Sequence, residues 1–503
     1  MLIKFPSAAV IGIDCAPVTV EVDIHKGQTS FTVVGLPDPS IKESKDRLYS
    51  ALKNSGFSYP FNFRIVINLA PADTHKEGAI YDLPMAMGMI ALSNDLSISV
   101  DDTLIAGELG LDGLVRHIPG VLSLALYAKE NGLTRLFVPE NDAPEAALVS
   151  GLVIYPVKTL SQLVKHFTGE ELILPFVASG EIRTTGTYTM DMAYVKGQEF
   201  AKRALEIAAS GSHNILMSGP PGSGKTLLAR TLPSILPRLT NSEVLEVTKI
   251  YSVAGLLEGP YVEERPFRSP HHTASGVALV GGGRIPHPGE ISLAHRDVLF
   301  LDEFPEFPRF VIENLRQPLE DGTITVSRAE GTWSFPARFI LVASQNPCPC
   351  GYRSDPDHPC SCGPSQFQKY QKKISGPLLD RIDLHVEVPR VQFEKLSKYE
   401  LAESSVKIRE RVEKAREIQS RRFKGLEIQT NSEMTGKEIR EFCQLSDSSV
   451  DLLRAAVNRL HLSARGYNRI LKLSRTIADL AGEDKIATDH VAEALQFRAK
   501  VGG

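Results

Sequence analysis

The chain has 503 residues, of which 42% are hydrophobic and 23% are charged, and its formal net charge at pH 7 is -4. This length predicts about three domains, and the small net charge excludes a global basic field, so a surface for nucleic acid has to be local. No apolar run approaches the roughly 18 residues that cross a bilayer, and the first residues lack the apolar centre of a signal peptide. We therefore expect a cytoplasmic protein without a membrane anchor.

Residues 1–167 mix strand-like and helix-like patterns and are expected to form an α+β domain. Asp95-Leu96-Ser97-Ile98-Ser99 fits the D-x-S-x-S spacing of von Willebrand metal sites, but its position after a helix favours a solvated loop. The remaining predictions are strands at 18–24, 31–33, 64–69, 104–109 and 135–138, and helices at 35–56, 84–92 and 121–131.

The order of these elements, with Gly107-Glu108-Leu109-Gly110-Leu111-Asp112-Gly113 between a buried and a surface helix, resembles the Lon-protease-like domain. Members of that family cut peptides with a Ser/Lys pair. The stretch 76–92, where the serine belongs, contains none, and the place of the lysine falls near Leu122. We expect a Lon-protease-like domain without the catalytic dyad, which supplies subunit contacts or a nucleic-acid surface. Residues 168–190 are polar and rich in glycine and threonine, and are interpreted as a linker.

A complete phosphate-binding motif, G-x4-G-K-[ST], lies near the start of the stretch 191–390. Apolar residues 215–217 precede it and helix-like residues 227–231 follow it, so the loop joins a strand to a helix N-terminus. Lys225 is expected to reach the β- and γ-phosphates and Thr226 to ligate Mg²⁺, which predicts ATP and Mg²⁺ as ligands. The predicted nucleotide-binding residues are Gly219, Pro220, Pro221, Gly222, Ser223, Gly224, Lys225 and Thr226.

Two further strands are predicted to end in residues that suit hydrolysis. The apolar run 298–301 leads into Asp302, which is expected in the Mg²⁺ shell, and Glu303, which is expected to orient and polarise the attacking water. The strand at 339–345 leads into Asn346, which is placed to hydrogen-bond the γ-phosphate or the water.

Glycine-rich segments lie between the phosphate loop and the acidic strand, and residues 322–334 alternate like a β-hairpin. Their polar groups suit a phosphate backbone without reading base sequence, although packing or subunit contacts would also account for these inserts. The cationic or hydrogen-bonding side chains that these segments would present are Arg268, His271, His272, Arg284 and Arg328, and the family resemblance described below implies that they are candidate DNA contacts.

Four of the six cysteines cluster with the spacing C-x-C-x9-C-x-C, at Cys348, Cys350, Cys360 and Cys362. In a reducing compartment such a cluster points to metal rather than to disulfides. Four thiolates can hold a structural Zn²⁺, but C-x-C is less typical of zinc sites than C-x2-C. Bound zinc and free thiols both remain open.

Residues 391–503 are predicted to be all helical. A charged helix at 399–423 carries Glu403/Lys407 and Glu410/Lys414 at i,i+4, which predicts a solvated face. Shorter helices are predicted at 439–442, 450–460, 466–480 and 490–497.

The segment Gly376-Pro377-Leu378-Leu379-Asp380-Arg381-Ile382-Asp383 resembles the L-L-x-R-[FI]-D signature of the magnesium-chelatase and replicative-helicase branch of AAA+ proteins. The resemblance implies that Arg381 is an arginine finger that acts on the neighbouring subunit's nucleotide. A surface ion pair with Asp383 is the alternative. It also implies that Arg465, or else Arg469, is the sensor-2 arginine, and that the inserts line a central pore.

The full set resembles the YifB/ComM-type magnesium-chelatase-like AAA+ ATPases, through Arg265-Pro266-Phe267-Arg268-Ser269-Pro270-His271-His272, Asn346-Pro347-Cys348-Pro349-Cys350-Gly351 and the N-terminal domain. The implied fold is multidomain α/β, with a P-loop AAA+ core at 191–390 and a helical lid at 391–503. The implied protein is a hexameric ring that drives helicase and branch-migration activity on single-stranded or branched DNA, with recombination proteins as partners. A chelatase-type or protein-remodelling motor is the alternative.

Overall fold

A computed structural model of the chain describes residues 2–177, 188–283, 286–328, 331–353, 355, 357–392, 401–460 and 462–498. The chain divides into two compact units. Unit 1 comprises Met1–Arg183, Asn241–Val262 and Arg284–Pro288, and unit 2 comprises Thr184–Thr240, Glu263–Gly283 and Gly289–Gly503. Two segments expected in the nucleotide-binding core, 241–262 and 284–288, thus belong to unit 1 together with the N-terminal residues.

Most of the longer described strands carry buried apolar residues on at least one face. In chain order they are β1 (Leu2–Ile11), β2 (Asp14–Lys26), β3 (Ser30–Val34), β4 (Phe63–Ala70), β5 (Thr103–Ile105), β6 (Glu108–Leu109), β7 (Val115–Arg116), β8 (Arg135–Pro139), β9 (Val153–Val157), β10 (Ile215–Ser218), β11 (Phe267–Arg268), β12 (Gly281–Gly282), β13 (His287–Pro288), β14 (Val298–Leu301), β15 (Thr323–Arg328), β16 (Gly331–Pro336), β17 (Ile340–Gln345) and β18 (Leu384–Glu387).

The described α-helices are α1 (Pro39–Lys42), α2 (Ser44–Asn54), α3 (Asp82–Ser93), α4 (Val121–Glu130), α5 (Ala143–Ala146), α6 (Leu160–Thr168), α7 (Glu199–Gly211), α8 (Lys225–Ile235), α9 (Asn241–Val253), α10 (Gly276–Val280), α11 (Glu290–Leu293), α12 (Arg309–Glu313), α13 (Pro318–Asp321), α14 (Pro364–Gln371), α15 (Gly376–Leu379), α16 (Ser405–Arg422), α17 (Gly436–Phe442), α18 (Asp447–Leu460), α19 (Ala464–Ala481) and α20 (Thr488–Gln496). Among the described residues, no helix is both long enough and apolar enough to cross a membrane.

Unit 1 contains a four-stranded sheet of order β1-β2-β4-β3 and a three-stranded parallel sheet of order β5-β8-β9. Helix α3 is buried from Asp82 to Ala91 and contacts β1 and β2. The strand predicted at 104–109 is interrupted, because the Gly107 N–H donates to the Ile80 carbonyl and the Gly107 carbonyl accepts from Leu83. The backbone there leaves the ladder, and β6 begins only at Glu108.

Helix α9 packs in unit 1, where it contacts α4. Ser252 Oγ donates to Glu145 Oε1 over 2.6 Å and accepts from the Gly120 N–H over 3.0 Å. Lys249 Nζ lies 2.6 Å from Asp14 Oδ1. Both a buried polar contact and an ion pair therefore hold this helix to the N-terminal residues.

The end of the N-terminal segment is packed further than the linker prediction implies. Ile173 is buried, and the Phe176 N–H donates to the Ile154 carbonyl over 2.7 Å. Residues 172–177 therefore belong structurally to unit 1. The remainder of the predicted linker at 178–187 lies outside the described residues.

Unit 2 is built on a five-stranded parallel sheet of order β11-β14-β17-β10-β18. Strand β14 is buried throughout, as the apolar run at 298–301 predicted. Because the strands are parallel, the carboxyl ends of β10, β14 and β17 meet at one edge of the sheet. The phosphate loop, Asp302 and Asn346 each follow one of these ends.

The described residues from 401 onward are helical, with α16 packed against α7, α8 and α19. The charged helix begins at Ser405, later than predicted, so Glu403 precedes it and its carboxylate pairs with Arg411, 2.6 Å away, rather than forming the expected i,i+4 pair. Arg411 also contacts Glu206 of α7, 2.6 Å away, and Arg416 donates to the Ala209 carbonyl. Lys407, Glu410 and Lys414 are exposed, in agreement with the predicted solvated face, whereas Arg411 and Arg416 lie on the side of α16 that packs on α7.

Candidate active site

The loop between β10 and α8 has the backbone conformation that a phosphate cradle requires. Gly222 and Gly224 have φ angles of 75° and 92°, in the left-handed region that residues with a Cβ rarely adopt. A Cβ on Gly219 would lie 2.1 Å from the Val388 carbonyl oxygen, so only glycine fits there. The buried Ser223 Oγ has no hydrogen-bond partner within the described part of the chain, which fits a loop that contacts a polar ligand.

Lys225 points its ammonium group back along this loop. Its Nζ donates to the carbonyl oxygens of Gly219 and Pro220 over 2.7 and 3.0 Å, and it lies 3.4 Å from Asn346 Oδ1. Burial lowers the pKa of Lys225, while the nearby Asp302 carboxylate acts in the opposite direction. The structure thus brings the predicted lysine and the predicted sensor residue together.

Asp302 is held at the end of β14 by three donors. Its Oδ2 accepts from Thr226 Oγ1 over 2.9 Å, and its Oδ1 accepts from the Ser344 hydroxyl and from the Glu303 N–H, the latter over 3.0 Å. The two residues predicted to ligate Mg²⁺ are therefore in direct contact. The contact between Ser344 and Asp302 was not predicted from the sequence, where its only signal was a hydroxyl inside a mostly apolar strand.

Glu303 stands apart from these buried groups. Its φ of 53° places the backbone in the left-handed region, and its side chain is 55% exposed. Among the described residues, Glu303 Oε2 lies 3.3 Å from Nδ1 of His272. His272 also contacts Phe307 edge to face. A residue expected at a DNA surface therefore lies beside the residue expected to activate water.

The two predicted arginines meet on one carboxylate. Arg381 donates from Nη2 to Glu320 Oε2 and from Nη1 to the Pro377 carbonyl, and Arg465 Nη2 lies 3.0 Å from Glu320 Oε1. The alternative ion pair between Arg381 and Asp383 is not formed, because the Asp383 carboxylate faces His213 at 3.3 Å. The hydrogen bond from Arg381, with further help from the Arg465 charge, lowers the pKa of Glu320.

Models of magnesium chelatase subunits match most of the chain: "Magnesium chelatase, subunit ChlI" over residues 191–396, "Subunit ChlI of Mg-chelatase" over 20–142 and "Magnesium chelatase, subunit ChlI C-terminal" over 402–498. The chain is 45% identical to competence protein ComM of Haemophilus influenzae, covering 98% of this chain and 97% of the relative. It is 42% identical to YifB of Escherichia coli, covering 98% and 96%.

The chain is a YifB/ComM-type member of the magnesium-chelatase ChlI family. A more distant similarity, 26% identity, joins 45% of the chain to 24% of the DNA replication licensing factor Mcm2 of Drosophila melanogaster. Membership of this AAA+ family, together with the phosphate loop and its carboxylates, indicates an ATPase that uses ATP and Mg²⁺.

In this family member the predicted hairpin is formed by β15 and β16, which pair antiparallel from Thr323 opposite Pro336 to Arg328 opposite Gly331. Arg328 is exposed and its Nη2 would lie 3.1 Å from a Cβ on Gly282, so hairpin and glycine-rich insert approach each other. Arg284, a further candidate DNA contact, lies outside the described residues.

The other two candidate DNA contacts already have partners. Arg268 pairs with both carboxylate oxygens of Glu290, at 2.7 and 2.6 Å, so a phosphate would have to compete with that carboxylate. His271 is exposed, and its Nδ1 lies 2.8 Å from Thr273 Oγ1. Only His271 and Arg328 therefore combine exposure with a side chain not held in an ion pair, among the candidates that the structure describes.

The four clustered cysteines converge in space. Cys348 Sγ lies 3.3 Å from Cys350 Sγ and 3.6 Å from Cys360 Sγ, and the Sγ atoms of Cys350 and Cys360 are 3.6 Å apart. With Cys362, all four ligand atoms lie within 4.8 Å of one another. The Cys350 N–H donates to Cys362 Sγ over 3.3 Å. The cluster therefore has the donor set of a tetrathiolate metal site.

Proposed function

We propose that the chain is an ATP-hydrolysing ring motor that acts on DNA, as a helicase or branch-migration translocase in recombination or natural transformation. The observation that carries the ATPase is the convergence of Lys225, Thr226, Asp302 and Asn346 at one edge of a parallel sheet. The DNA substrate is supported by the full-length similarity to a competence protein and by the partial similarity to a DNA replication licensing factor.

ATP is the substrate, and its phosphates would lie against the loop backbone, the Ser223 hydroxyl and Lys225 Nζ. Thr226 and Asp302 would hold Mg²⁺, which neutralises charge on the phosphate oxygens when it is bound. Lys225 can shift its hydrogen bonds from the loop carbonyls to the phosphates. Asn346, 3.4 Å from that ammonium group, is then positioned to detect the γ-phosphate.

Glu303 orients and polarises the attacking water in this proposal. Its exposed carboxylate is free of the hydrogen bonds that fix Asp302, so the two acids of one dipeptide have different tasks. His272 lies 3.3 Å from that carboxylate and would position it. We therefore assign His272 to the hydrolytic site as a positioning residue, in place of the DNA contact expected from sequence.

Arg381 acts as the arginine finger on a neighbouring subunit's nucleotide, and a ring, a hexamer by family resemblance, supplies that neighbour. Arg465 shares Glu320 with Arg381, so both arginines belong to one patch of unit 2. We propose that this patch faces the neighbour and that both arginines reach the same phosphates. Arg469 instead donates to the Ile382 carbonyl, which favours Arg465 for the sensor-2 role.

The remaining assignments follow the same resemblance. Unit 1 is proposed to be a Lon-protease-like domain without peptidase activity that supplies subunit contacts or a nucleic-acid surface. The β15–β16 hairpin and the glycine-rich insert would line the pore, with Arg328 and His271 towards the DNA backbone. The cysteine cluster would hold a structural Zn²⁺, and the protein would work in the cytoplasm with recombination proteins as partners.

The test is ATP turnover by the full chain with forked, single-stranded or no DNA, at increasing salt. We expect DNA to stimulate turnover and the stimulation to fade with salt, because phosphate contacts release counterions. Arg328→Ala should lose most of the stimulation at unchanged basal turnover, whereas Arg421→Ala, at a side chain 78% exposed on α16, should not. Turnover that ignores every DNA and responds to a partner protein would instead indicate a chelatase-type or protein-remodelling motor.

A further inference from the structure

The proposed zinc site lies within a few residues of the nucleotide site. Only Pro347 separates Cys348 from Asn346, whose side chain contacts Lys225. On the other side of the cluster, α14 begins two residues after Cys362. The cysteine cluster is therefore flanked in the chain by Asn346 on one side and by α14 on the other.

Helix α14 returns to Asn346 through one half-buried side chain, that of Tyr370. Burial raises the pKa of Tyr370 to about 12, whereas the Asn346 backbone N–H near its hydroxyl oxygen acts to lower that pKa, so the side chain is a neutral phenol beside Asn346. Asn346 is thus held from one side by the strand and Cys348, and from the other by Tyr370.

The cluster also meets the phosphate loop directly. Gly351 follows Cys350, has a φ of 86°, and donates its N–H to the Cys348 carbonyl over 2.9 Å. A Cβ on Gly351 would lie 2.6 Å from Pro221 Cδ, closer than a side chain tolerates. The backbone of the turn formed by residues 348–351 is therefore packed directly against the loop that cradles the phosphates.

The sulfur positions fit a metal rather than a disulfide pair. A tetrahedral zinc with Zn–S bonds of about 2.3 Å separates its sulfurs by about 3.8 Å, whereas a disulfide needs about 2.05 Å. The observed separations of 3.3 and 3.6 Å are close to the tetrahedral value. The Cys350 backbone N–H donates a hydrogen bond to Cys362 Sγ, and such a hydrogen bond stabilises the negative charge of a thiolate ligand.

We propose that Zn²⁺ bound by Cys348, Cys350, Cys360 and Cys362 braces the nucleotide site, so that its occupancy sets the affinity for ATP. The inference rests on the zinc site of the proposed function. Zinc fixes the Gly351 turn against Pro221 and fixes the end of β17 that carries Asn346. Loss of the metal frees both contacts, and the phosphate loop loses its support from that side.

The experiment uses the full chain and measures two quantities separately: zinc per protein, from the colour of a zinc-binding dye after thiol modification, and the dissociation constant of a fluorescent ATP analogue. Cys360 is the exposed ligand, so Cys360→Ser removes a ligand with little disturbance of the core. We expect Cys360→Ser to lose zinc and to bind the analogue about tenfold more weakly or worse, as displaced binding groups do. Cys360→His, which restores a zinc ligand, should retain both, as should Cys15→Ala in unit 1.

Gly351→Ala tests the contact between the Gly351 turn and Pro221 separately from zinc binding. It keeps all four ligands but forces a Cβ towards Pro221, so we expect normal zinc content with weakened analogue binding. Zinc-free Cys360→Ser that keeps its circular dichroism spectrum and the wild-type affinity would overturn the brace while leaving the zinc site standing. Wild-type protein that neither contains nor takes up zinc would overturn the site itself, whatever its nucleotide affinity.

Discussion

Thr226 donates a hydrogen bond to Asp302 over 2.9 Å, although 76 positions separate them in the chain. Strand β17 lies between their strands, β10 and β14, in the sheet. The contact therefore depends on the order in which three strands pair. It places a hydroxyl and a carboxylate, two oxygen ligands that suit Mg²⁺, at the mouth of the phosphate loop.

Thr226→Ala is expected to lower kcat/KM for ATP about 100-fold, equivalent to about 2.7 kcal/mol of transition-state stabilisation, because one oxygen ligand is lost. Thr226→Ser keeps the hydroxyl and should stay within about threefold of the wild type. The measurement is steady-state ATPase activity across a Mg²⁺ titration. Equal rates for the Ala and Ser variants would show that the hydroxyl does not serve the metal.

Glu303→Gln should bind ATP with unchanged affinity and turn it over at least about 100-fold more slowly, as expected when a general base is removed. Binding is followed by a fluorescent ATP analogue and turnover by phosphate release. Because the Asp302 carboxylate, unlike that of Glu303, accepts a hydrogen bond from Thr226, Asp302→Asn should weaken Mg²⁺-dependent binding as well. Normal turnover by Glu303→Gln would assign water activation to another group.

His272→Ala tests the positioning role given to that imidazole. Losing the 3.3 Å contact should reduce kcat about tenfold at unchanged KM, because the Glu303 carboxylate is less well oriented. His271→Ala is the matched control, since the neighbouring ring contacts Thr273 instead. A loss of DNA stimulation alone, with normal basal kcat, would return His272 to the DNA surface.

Arg381→Ala is expected to retain ATP binding and to lose turnover about 10³-fold, the lower end of the range for arginine fingers. Mixed with wild-type protein, it should depress activity more than dilution does, because each variant subunit disables its neighbour's site. Arg469→Ala, which removes a hydrogen bond to the Ile382 carbonyl and a positive charge near Asp383, serves as the control. Proportional loss on mixing would place Arg381 at its own subunit's nucleotide.

Glu145 should make unit 1 less stable as pH rises. Burial raises its pKa from 4.5 to about 7, against hydrogen bonds from Ser252 and the Leu122 N–H. Between these two values the folded state keeps a proton that the unfolded chain has lost, so the free energy of unfolding falls, by up to about 3 kcal/mol, and then stays level above pH 7. Calorimetric unfolding at pH 5 and pH 8 should show a shift that Glu145→Gln lacks. An identical shift in both proteins would contradict this role.

Local patterns in the sequence predicted most of the sheet of unit 2 and the residues at its edge. The apolar runs that become β10, β14 and β17 are each followed directly by chemistry-bearing residues, and parallel strands bring such ends together. The glycines of the motif are also required by the structure. A Cβ would clash at Gly219, and Gly222 and Gly224 have left-handed backbone conformations.

Contacts that depend on which strands and loops are neighbours were missed. Ser344 reaches Asp302 only because β17 lies next to β14, and Glu320 joins Arg381 to Arg465 across 61 and 145 positions. The pairing of His272 with Glu303 also needs the tertiary fold. Periodicity records which face of an element is apolar, but it does not record which other element covers that face.

The helix at 241–253 shows the same limit. Its apolar residues indicate that one side is buried, but they do not indicate which element covers that side, and in the structure they are buried in unit 1. One consequence concerns how the protein can be taken apart. A deletion of residues 1–183 would strip α9 of its contacts with α4 and Glu145 and expose its apolar side on what remains. Residues 1–183 therefore cannot be removed without destabilising the rest of the chain. A protein truncated in this way would misfold or aggregate, and its loss of activity would not report on the role of the N-terminal residues.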